Sequence, residues 1–379
     1  MKKFVFIFGS FVLILAVWFL IFSQNLKSTS TDPNTHPKES FPSQTQAPVT
    51  SVMAENLEIP WSIVFLPDGS MLLTERPGRV RLIASSGLLQ EKPVAIFSNI
   101  EAIGEGGLLG ITIHPEFATN HYVYLYYTYS ENNGETLNRV VRMTYQTGQL
   151  LGEQIIVDSI PGAVNHNGGR IKFGPDNYLY ITTGDAENPS QAQDINTLGG
   201  KILRVTDEGE AVLDNPFENR VYSYGHRNPQ GLAWDGSGRL WVTEHGPSGG
   251  QPGTGNDEIN LTQKGKNYGW PLIKGNESRN GLETPIYTSG PDVTWAPAGA
   301  AIVKNSLFFG GLRGETLYEA IINEDNIGLK EHFAGQFGRI RDVVLGPDNL
   351  LYITTSNRDG RGQVGVADDK IIRVDPQQL

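Results

Sequence analysis

One turn-and-strand unit recurs six times along this chain, and few folds accommodate such a pattern. Pro67-Asp68-Gly69-Ser70 runs into Met71-Leu72-Leu73-Thr74, Pro175-Asp176-Asn177-Tyr178 into Leu179-Tyr180-Ile181-Thr182, and Pro347-Asp348-Asn349-Leu350 into Leu351-Tyr352-Ile353-Thr354. Looser copies precede Leu240-Trp241-Val242-Thr243, Val123-Tyr124-Leu125-Tyr126 and Leu307-Phe308-Phe309-Gly310. Aligning Met71, Val123, Leu179, Leu240, Leu307 and Leu351 gives spacings of 52, 56, 61, 67 and 44 residues. Proline presets φ and glycine or asparagine tolerates positive φ, so each turn closes a hairpin. A further strand follows several copies, as in Gly78-Arg79-Val80-Arg81-Leu82, Lys201-Ile202-Leu203-Arg204-Val205 and Lys370-Ile371-Ile372-Arg373-Val374. Helical periodicity is nearly absent. Repeats of about 40–60 residues built from roughly four strands specify a β-propeller. The fold expected is therefore all-β, a six-bladed β-propeller of four-stranded antiparallel blades. A two-domain sandwich would explain the strands but not their sixfold recurrence. Ring closure predicts that Val52-Met53-Ala54 completes the blade begun near Ile340.

The repeats occupy residues 51–379, and what precedes them has another composition. Lys2 and Lys3 stand before a charge-free apolar run from Phe4 to Phe22. At about 1.5 Å per helical residue this run approaches the roughly 30 Å hydrocarbon core of a bilayer. Two readings of residues 1–23 stay open, a retained membrane anchor and a cleaved export signal; no A-x-A-like cleavage site follows. Residues 24–50, rich in Ser, Thr, Pro, Asn and Gln, read as a flexible linker. The domain is thus expected outside the cytoplasm, anchored at the cell surface or secreted, touching membrane only through its N-terminal segment.

Composition removes several chemistries. The chain has no cysteine, which excludes disulfides, thiolate metal sites and thiol nucleophiles. A net charge of −11 argues against a nucleic-acid partner. No P-loop or EF-hand loop is present, and although Gly360-x-Gly362-x-x-Gly365 and Gly246-x-Ser248-x-Gly250 match the dinucleotide and nucleophile-elbow patterns by letter, no helical periodicity follows either, as those motifs require.

Four polar segments break strand alternation: Gly104-Glu105-Gly106-Gly107, Asn165-His166-Asn167-Gly168-Gly169-Arg170, Gly225-His226-Arg227-Asn228-Pro229-Gln230-Gly231 and Gly338-Arg339-Ile340-Arg341-Asp342. They fall in different repeats, and a propeller gathers equivalent loops at one mouth of its channel. With Asp257-Glu258-Ile259-Asn260 and Asn267-Tyr268-Gly269-Trp270-Pro271, these segments make the chain resemble the soluble pyrroloquinoline-quinone (PQQ)-dependent sugar dehydrogenases, especially the bacterial aldose sugar dehydrogenase branch. The resemblance runs from about Glu55 to Asp375.

That resemblance implies PQQ and Ca²⁺ as cofactors, an aldose substrate and an external electron acceptor, a quinone or a redox protein. His166 is the candidate general base, since an imidazole can take a sugar's hydroxyl proton; the resemblance gives Asp185 the task of orienting it. The plainer alternative is a histidine capping a turn beside a strand-end aspartate. Glu105, His166, Arg227, Asn228, Arg313, Arg339 and Arg341 are the implied cofactor-binding residues, and guanidinium suits the three carboxylates of PQQ. Arg339 and Arg341, at i and i+2, equally describe one face of a strand. The resemblance also implies calcium twice, on the carbonyls of Gly246 and Pro247 and at Glu258 with the carbonyl of Tyr268. Without it, Asp257-Glu258 reads as an exposed acidic turn.

Two positions depart from the family pattern. Glu105 and His245 stand where its best-known members carry glutamines, and residues 248–255 lengthen the loop before Asp257. A carboxylate beside a trianion is unfavourable unless protonated, paired with an arginine or turned away. The reading from another class is a non-catalytic cell-surface propeller that binds a glycan or a protein; it would not need His166, Asp185 and the arginines together.

Overall fold

A computed structural model describes residues 48–247, 255–323 and 326–379. The expected anchor or signal, most of the linker, and nearly all of the inserted loop lie outside the described residues. Among the described residues, no helix is long and apolar enough to cross a membrane.

Six four-stranded antiparallel sheets form the domain, as the repeat predicts. Five are built from consecutive strands. The first blade comprises Pro60–Phe65, Met71–Glu75, Arg79–Ile83 and Ala95–Ile96, and the second Leu108–Ile113, Tyr122–Ser130, Thr136–Gln146 and Gln149–Pro161. The third comprises Ile171–Phe173, Leu179–Thr183, Lys201–Val205 and Val221–Tyr224, and the fourth Pro229–Trp234, Leu240–Glu244, Glu258–Thr262 and Tyr287–Thr288. The fifth comprises Pro297–Val303, Ser306–Gly311, Leu317–Ile322 and Ile327–His332. The sixth joins Ile340–Leu345, Leu351–Thr355 and Ile371–Val374 to Thr50–Ala54 from the other end of the domain. Val52 lies opposite Ile372, so the predicted closure is found.

All six aligned residues lie at or one position inside the start of the second strand of their blade. The recurring aspartate explains why. Asp68, Asp176, Asp235 and Asp348 each accept, through Oδ1, the backbone N–H two residues on, at 2.9, 3.3, 2.9 and 3.2 Å. This Asx bond fixes the turn. In three copies Oδ2 also accepts from the aromatic residue of the following strand: Tyr180 at 3.0 Å, Trp241 at 2.9 Å and Tyr352 at 2.9 Å. One carboxylate thus selects both the turn and the aromatic strand position.

Blades pack face to face, so inner strands are buried on both sides. Along Tyr122–Ser130, Tyr124 and Tyr126 pack with Ile171, Leu179 and Ile181 of the third blade, while Val123, Leu125 and Tyr127 pack with Leu72 and Val80 of the first. The two-residue period of a strand sends alternate side chains to opposite neighbours. Apolar runs without polar alternation follow from that geometry.

The first strands of all six blades line a channel of about 320 Å³. An ion pair crosses it: Arg170 Nη1 lies 3.0 Å from Asp342 Oδ1 and donates to Ser62 Oγ at 2.8 Å, while Ile63 N donates to Asp342 Oδ2 at 3.0 Å. These contacts tie the first, third and sixth blades. Gly299 is required here, because a Cβ would collide with Asp342 Oδ1. Antiparallel strand order places the Pro-Asp turns at one end of the channel. The inter-blade loops, and the loops joining second to third strands, emerge at the other.

Candidate active site at one mouth of the channel

The loop-rich end holds a cleft of about 460 Å³ lined by Glu105, Asn165, His166, Arg227, His245, Arg313, Arg339 and Arg361, with Ala296 and Leu312 as apolar neighbours. Five of the seven residues implied for cofactor binding therefore line one cavity. Asn228 is fully buried and joins them through Glu105, to whose Oε2 it donates at 3.2 Å. Arg341 does not line the cleft; it is buried and donates Nη1 to Gln230 Oε1 at 3.0 Å.

His166 sits at φ +60° between the second and third blades, in the left-handed region that a non-glycine residue occupies only under constraint. The constraint is close packing. A Cβ at Gly184 would collide with the His166 carbonyl, so the second strand of the third blade approaches the His166 turn only because residue 184 is glycine. The imidazole Nδ1 lies 2.7 Å from Asp185 Oδ1. Asp185 is fully buried; its Oδ2 accepts from Trp270 Nε1 at 2.7 Å, and its Oδ1 also accepts from Glu187 N at 3.0 Å. An aspartate surrounded by donors is held as the acceptor, which assigns the proton to Nδ1 and leaves Nε2 with its lone pair. The pair has the geometry of a base and its orienting carboxylate.

The guanidiniums differ in their freedom. Arg339 gives Nε and Nη2 to Asp359 Oδ2 at 2.9 and 2.7 Å and Nη1 to the Leu312 carbonyl at 2.9 Å. Arg227 is anchored by its backbone N–H, which donates to Glu244 Oε1, and its guanidinium lies 5.4 Å from the Trp270 ring centroid. Arg227 Nε is buried without a hydrogen-bond partner. The Arg313 guanidinium has no partner among the described residues, although Arg313 N donates to the Trp295 carbonyl. His245 Nε2 is likewise buried and unpartnered. Buried polar atoms without partners are rare in folded proteins and mark places where a ligand supplies the partner. Four arginines against one glutamate line the cleft, a donor set that fits a small polyanion.

Glu105 is paired with an arginine. Its Oε1 accepts from Arg361 Nη1 at 2.9 Å, and its Oε2 accepts from His166 N at 3.1 Å as well as from Asn228. Burial opposes the charged form, but the charge of His245 when protonated, then the hydrogen bond and charge of Arg361 and the His166 N–H, outweigh it and hold the carboxyl at about 2. Burial drives His245 down to about 3. His245 is therefore neutral at pH 7, where Arg361, the His166 N–H and Asn228 hold the Glu105 anion.

Neutral oxygens make up the first candidate calcium position. The carbonyls of Gly246 and Pro247 accept no hydrogen bond from the described residues. Asp257 shapes this turn, accepting from Gly246 N at 2.8 Å through Oδ1 and from Trp295 N and Ala296 N at 2.6 and 2.9 Å through Oδ2. Gly246 is obligatory because a Cβ would strike the Asn256 carbonyl. At the other position Glu258 stands directly across the strand pair from Glu244, and Asn260 Nδ2 donates to both carboxylates. Burial, then the Glu244 charge, push Glu258 up to about 8, and Asn260 Oδ1 is buried without a partner. Two facing carboxylates and an orphan oxygen fit an oxygen-seeking cation. Tyr268 stacks on His226 with ring centroids 4.8 Å apart. Among the described residues, no group of three or more His, Asp or Glu side chains suits a metal.

The sequence assigns no role to Trp270, Arg361 or Asp359, and the plain reading of Asp257-Glu258 as an exposed acidic turn does not hold: Asp257 is fully buried and Glu258 opens a strand. Trp270 stood inside a quoted motif. The available signal for Arg361 was positional: Asn357-Arg358-Asp359-Gly360-Arg361 joins a second to a third strand, as do the loops holding Asp185 and His245.

Residues 57–371 match the sequence model of the Glucose / Sorbosone dehydrogenase family. The chain is 34% identical over 350 residues to the aldose sugar dehydrogenase YliI of Escherichia coli, covering 83% of this chain and 92% of that one. It is 34% identical over 272 residues to quinoprotein glucose dehydrogenase B of Acinetobacter calcoaceticus, covering 63% of this chain and 55% of that one. Among solved structures, the PQQ-bound aldose sugar dehydrogenase of Streptomyces coelicolor aligns with a TM-score of 0.79 at 36% identity, over 86% of this chain and 99% of that one.

Proposed function

The chain belongs to the glucose/sorbosone dehydrogenase family, and from that premise we propose that it oxidises the C1 hydroxyl of aldose sugars to lactones with PQQ and calcium. The observation that carries this reading is the His166–Asp185 pair opening onto the same cleft as unpartnered buried nitrogens of Arg227 and His245. Bound PQQ supplies the acceptor for the hydride that leaves C1. His166 Nε2 takes the hydroxyl proton as the C1–O bond becomes a carbonyl, and the Asp185 anion stabilises the resulting imidazolium. Trp270 keeps Asp185 turned toward His166.

Arg227, Arg313 and Arg339, with Asn228 and His245, would hold the carboxylates and quinone oxygens. Arg341 would act behind them, through Gln230. The carbonyls of Gly246 and Pro247 would hold a calcium beside the cofactor. A second calcium at Glu258 and the Tyr268 carbonyl would relieve the repulsion between Glu258 and Glu244. Electrons then pass to an external acceptor, a quinone or redox protein. Function outside the cytoplasm, attached through or released from the N-terminal segment, suits that acceptor.

The test is to mix purified protein with Ca²⁺ and PQQ, measure binding by calorimetry, and follow dye reduction with a panel of aldoses. Stoichiometric binding and aldose-dependent reduction are expected. Absence of binding overturns the proposal and favours a non-catalytic propeller that recognises a glycan or protein.

A further inference from the structure

Glu105 is the residue least suited to a site for a trianion, and the structure supplies a reason for it. Its carboxylate is an acceptor for three donors on three separate elements. Oε1 accepts from Arg361 Nη1 at 2.9 Å, and Oε2 from His166 N at 3.1 Å and Asn228 Nδ2 at 3.2 Å. A glutamine has one acceptor oxygen and an NH₂ group. Whichever way it is turned, its NH₂ meets a donor, either the guanidinium or the His166 and Asn228 N–H groups. Only a carboxylate satisfies all three.

Arg361 belongs to the loop between the second and third strands of the sixth blade and reaches across the mouth of the cleft. Nη1 goes to Glu105, and Nη2 to Asn165 Oδ1 at 2.8 Å. The root of that loop is fixed by Asp359, whose Oδ1 accepts from Arg361 N at 2.9 Å while its Oδ2 holds Arg339. Arg361 is thus oriented from both ends, and its two terminal nitrogens are engaged with protein.

We propose that Glu105 and Arg361 are a matched positioning pair. Glu105 holds the backbone of the catalytic histidine and the side chain of Asn228, and Arg361 cancels its charge so that a polyanion can bind beside it. This rests on the reading of the cleft as a PQQ site. It assigns to Arg361 the work of a compensating charge and not of a direct cofactor contact.

The test is a four-protein cycle: wild type, Glu105→Gln, Arg361→Gln and the double variant. Each is measured for PQQ affinity by calorimetry with Ca²⁺ present and for thermal midpoint without cofactor. Arg361→Gln leaves a bare carboxylate facing the polyanion and weakens binding at least tenfold, whereas Glu105→Gln, which loosens the hold on Asn228 and the His166 N–H but removes the charge, weakens it by no more than about threefold. The double variant returns to within about threefold of wild type, because a compensating charge is dispensable once its partner is neutral. If the double variant binds as poorly as Arg361→Gln, Arg361 is a direct contact and the inference is overturned; an unchanged affinity in Arg361→Gln overturns it equally. If wild type binds no PQQ, the functional reading falls separately, and the cofactor-free melts decide the pair. Non-additive midpoints then support the pairing, and additive ones refute it.

Discussion

At the scale of single residues, the chemistry turns on donors and acceptors set in unusual backbone positions. His166 is presented by a left-handed turn, and its imidazole is oriented by an aspartate that is itself oriented by Trp270. Asp185→Asn can present an amide NH₂ to Nδ1 and so favours the wrong tautomer. It should retain PQQ affinity while kcat falls by about 10²–10⁴, as expected for loss of a base's orienter. Trp270→Phe should lower kcat by a smaller factor with the KM for the aldose unchanged, a split that a general structural defect would not produce. Glu105 gives a pH prediction. Its folded value near 2 lies below its ordinary 4.5, so its stabilisation is complete above about pH 4.5 and is lost as pH falls through about 2. Glu105→Gln should therefore melt below wild type at pH 7, by about 1–2 kcal/mol, less than the displacement to about 2 implies, because the His245 charge that contributes to it is absent at pH 7. The gap should narrow from pH 4.5 toward pH 3 in calorimetric melts.

At the scale of elements, the division between the two ends of the channel explains what the sequence made visible. The Pro-Asp turns recur because each blade needs the same hairpin. In Asp176 and Asp348 one carboxylate satisfies both the turn N–H and a tyrosine on the next strand. Repetition made them legible. The loops at the opposite end do not repeat, since each contributes a different side chain to one cleft. Arg361 and Glu105 are 256 positions apart and share no motif, so nothing local announced their pairing. Arg339 and Arg341 could be picked out as an alternating pair, but their different fates, one at the cleft and tied to Asp359 and the other buried on Gln230, depend on neighbours from other loops. Asp176→Ala should cost about 1–2 kcal/mol in unfolding free energy, the price of two or three hydrogen bonds partly regained by water. PQQ affinity should be unchanged, because that turn lies at the far end of the channel.

At the scale of the whole molecule, the ring is held by strand closure and by a charge pair across its channel. Thr50–Ala54 closes the sixth blade, and the role expected of Val52-Met53-Ala54 follows from ring closure alone, since the two ends of a propeller meet in one blade. Arg170 and Asp342, both almost fully buried, lie in separate polar segments whose sequence shows no link between them, because their partnership crosses the ring. Asp342→Ala strands a buried guanidinium and should destabilise the domain by about 3–5 kcal/mol in chemical denaturation. The central claim, however, is that this ring is a scaffold for hydride removal from a sugar. The most direct measurement is rapid-mixing absorbance of the PQQ- and Ca²⁺-loaded protein with an aldose carrying either hydrogen or deuterium at C1. The account predicts reduction of the bound cofactor in a single turnover, several-fold slower with deuterium; a loaded protein whose spectrum no aldose changes would contradict it.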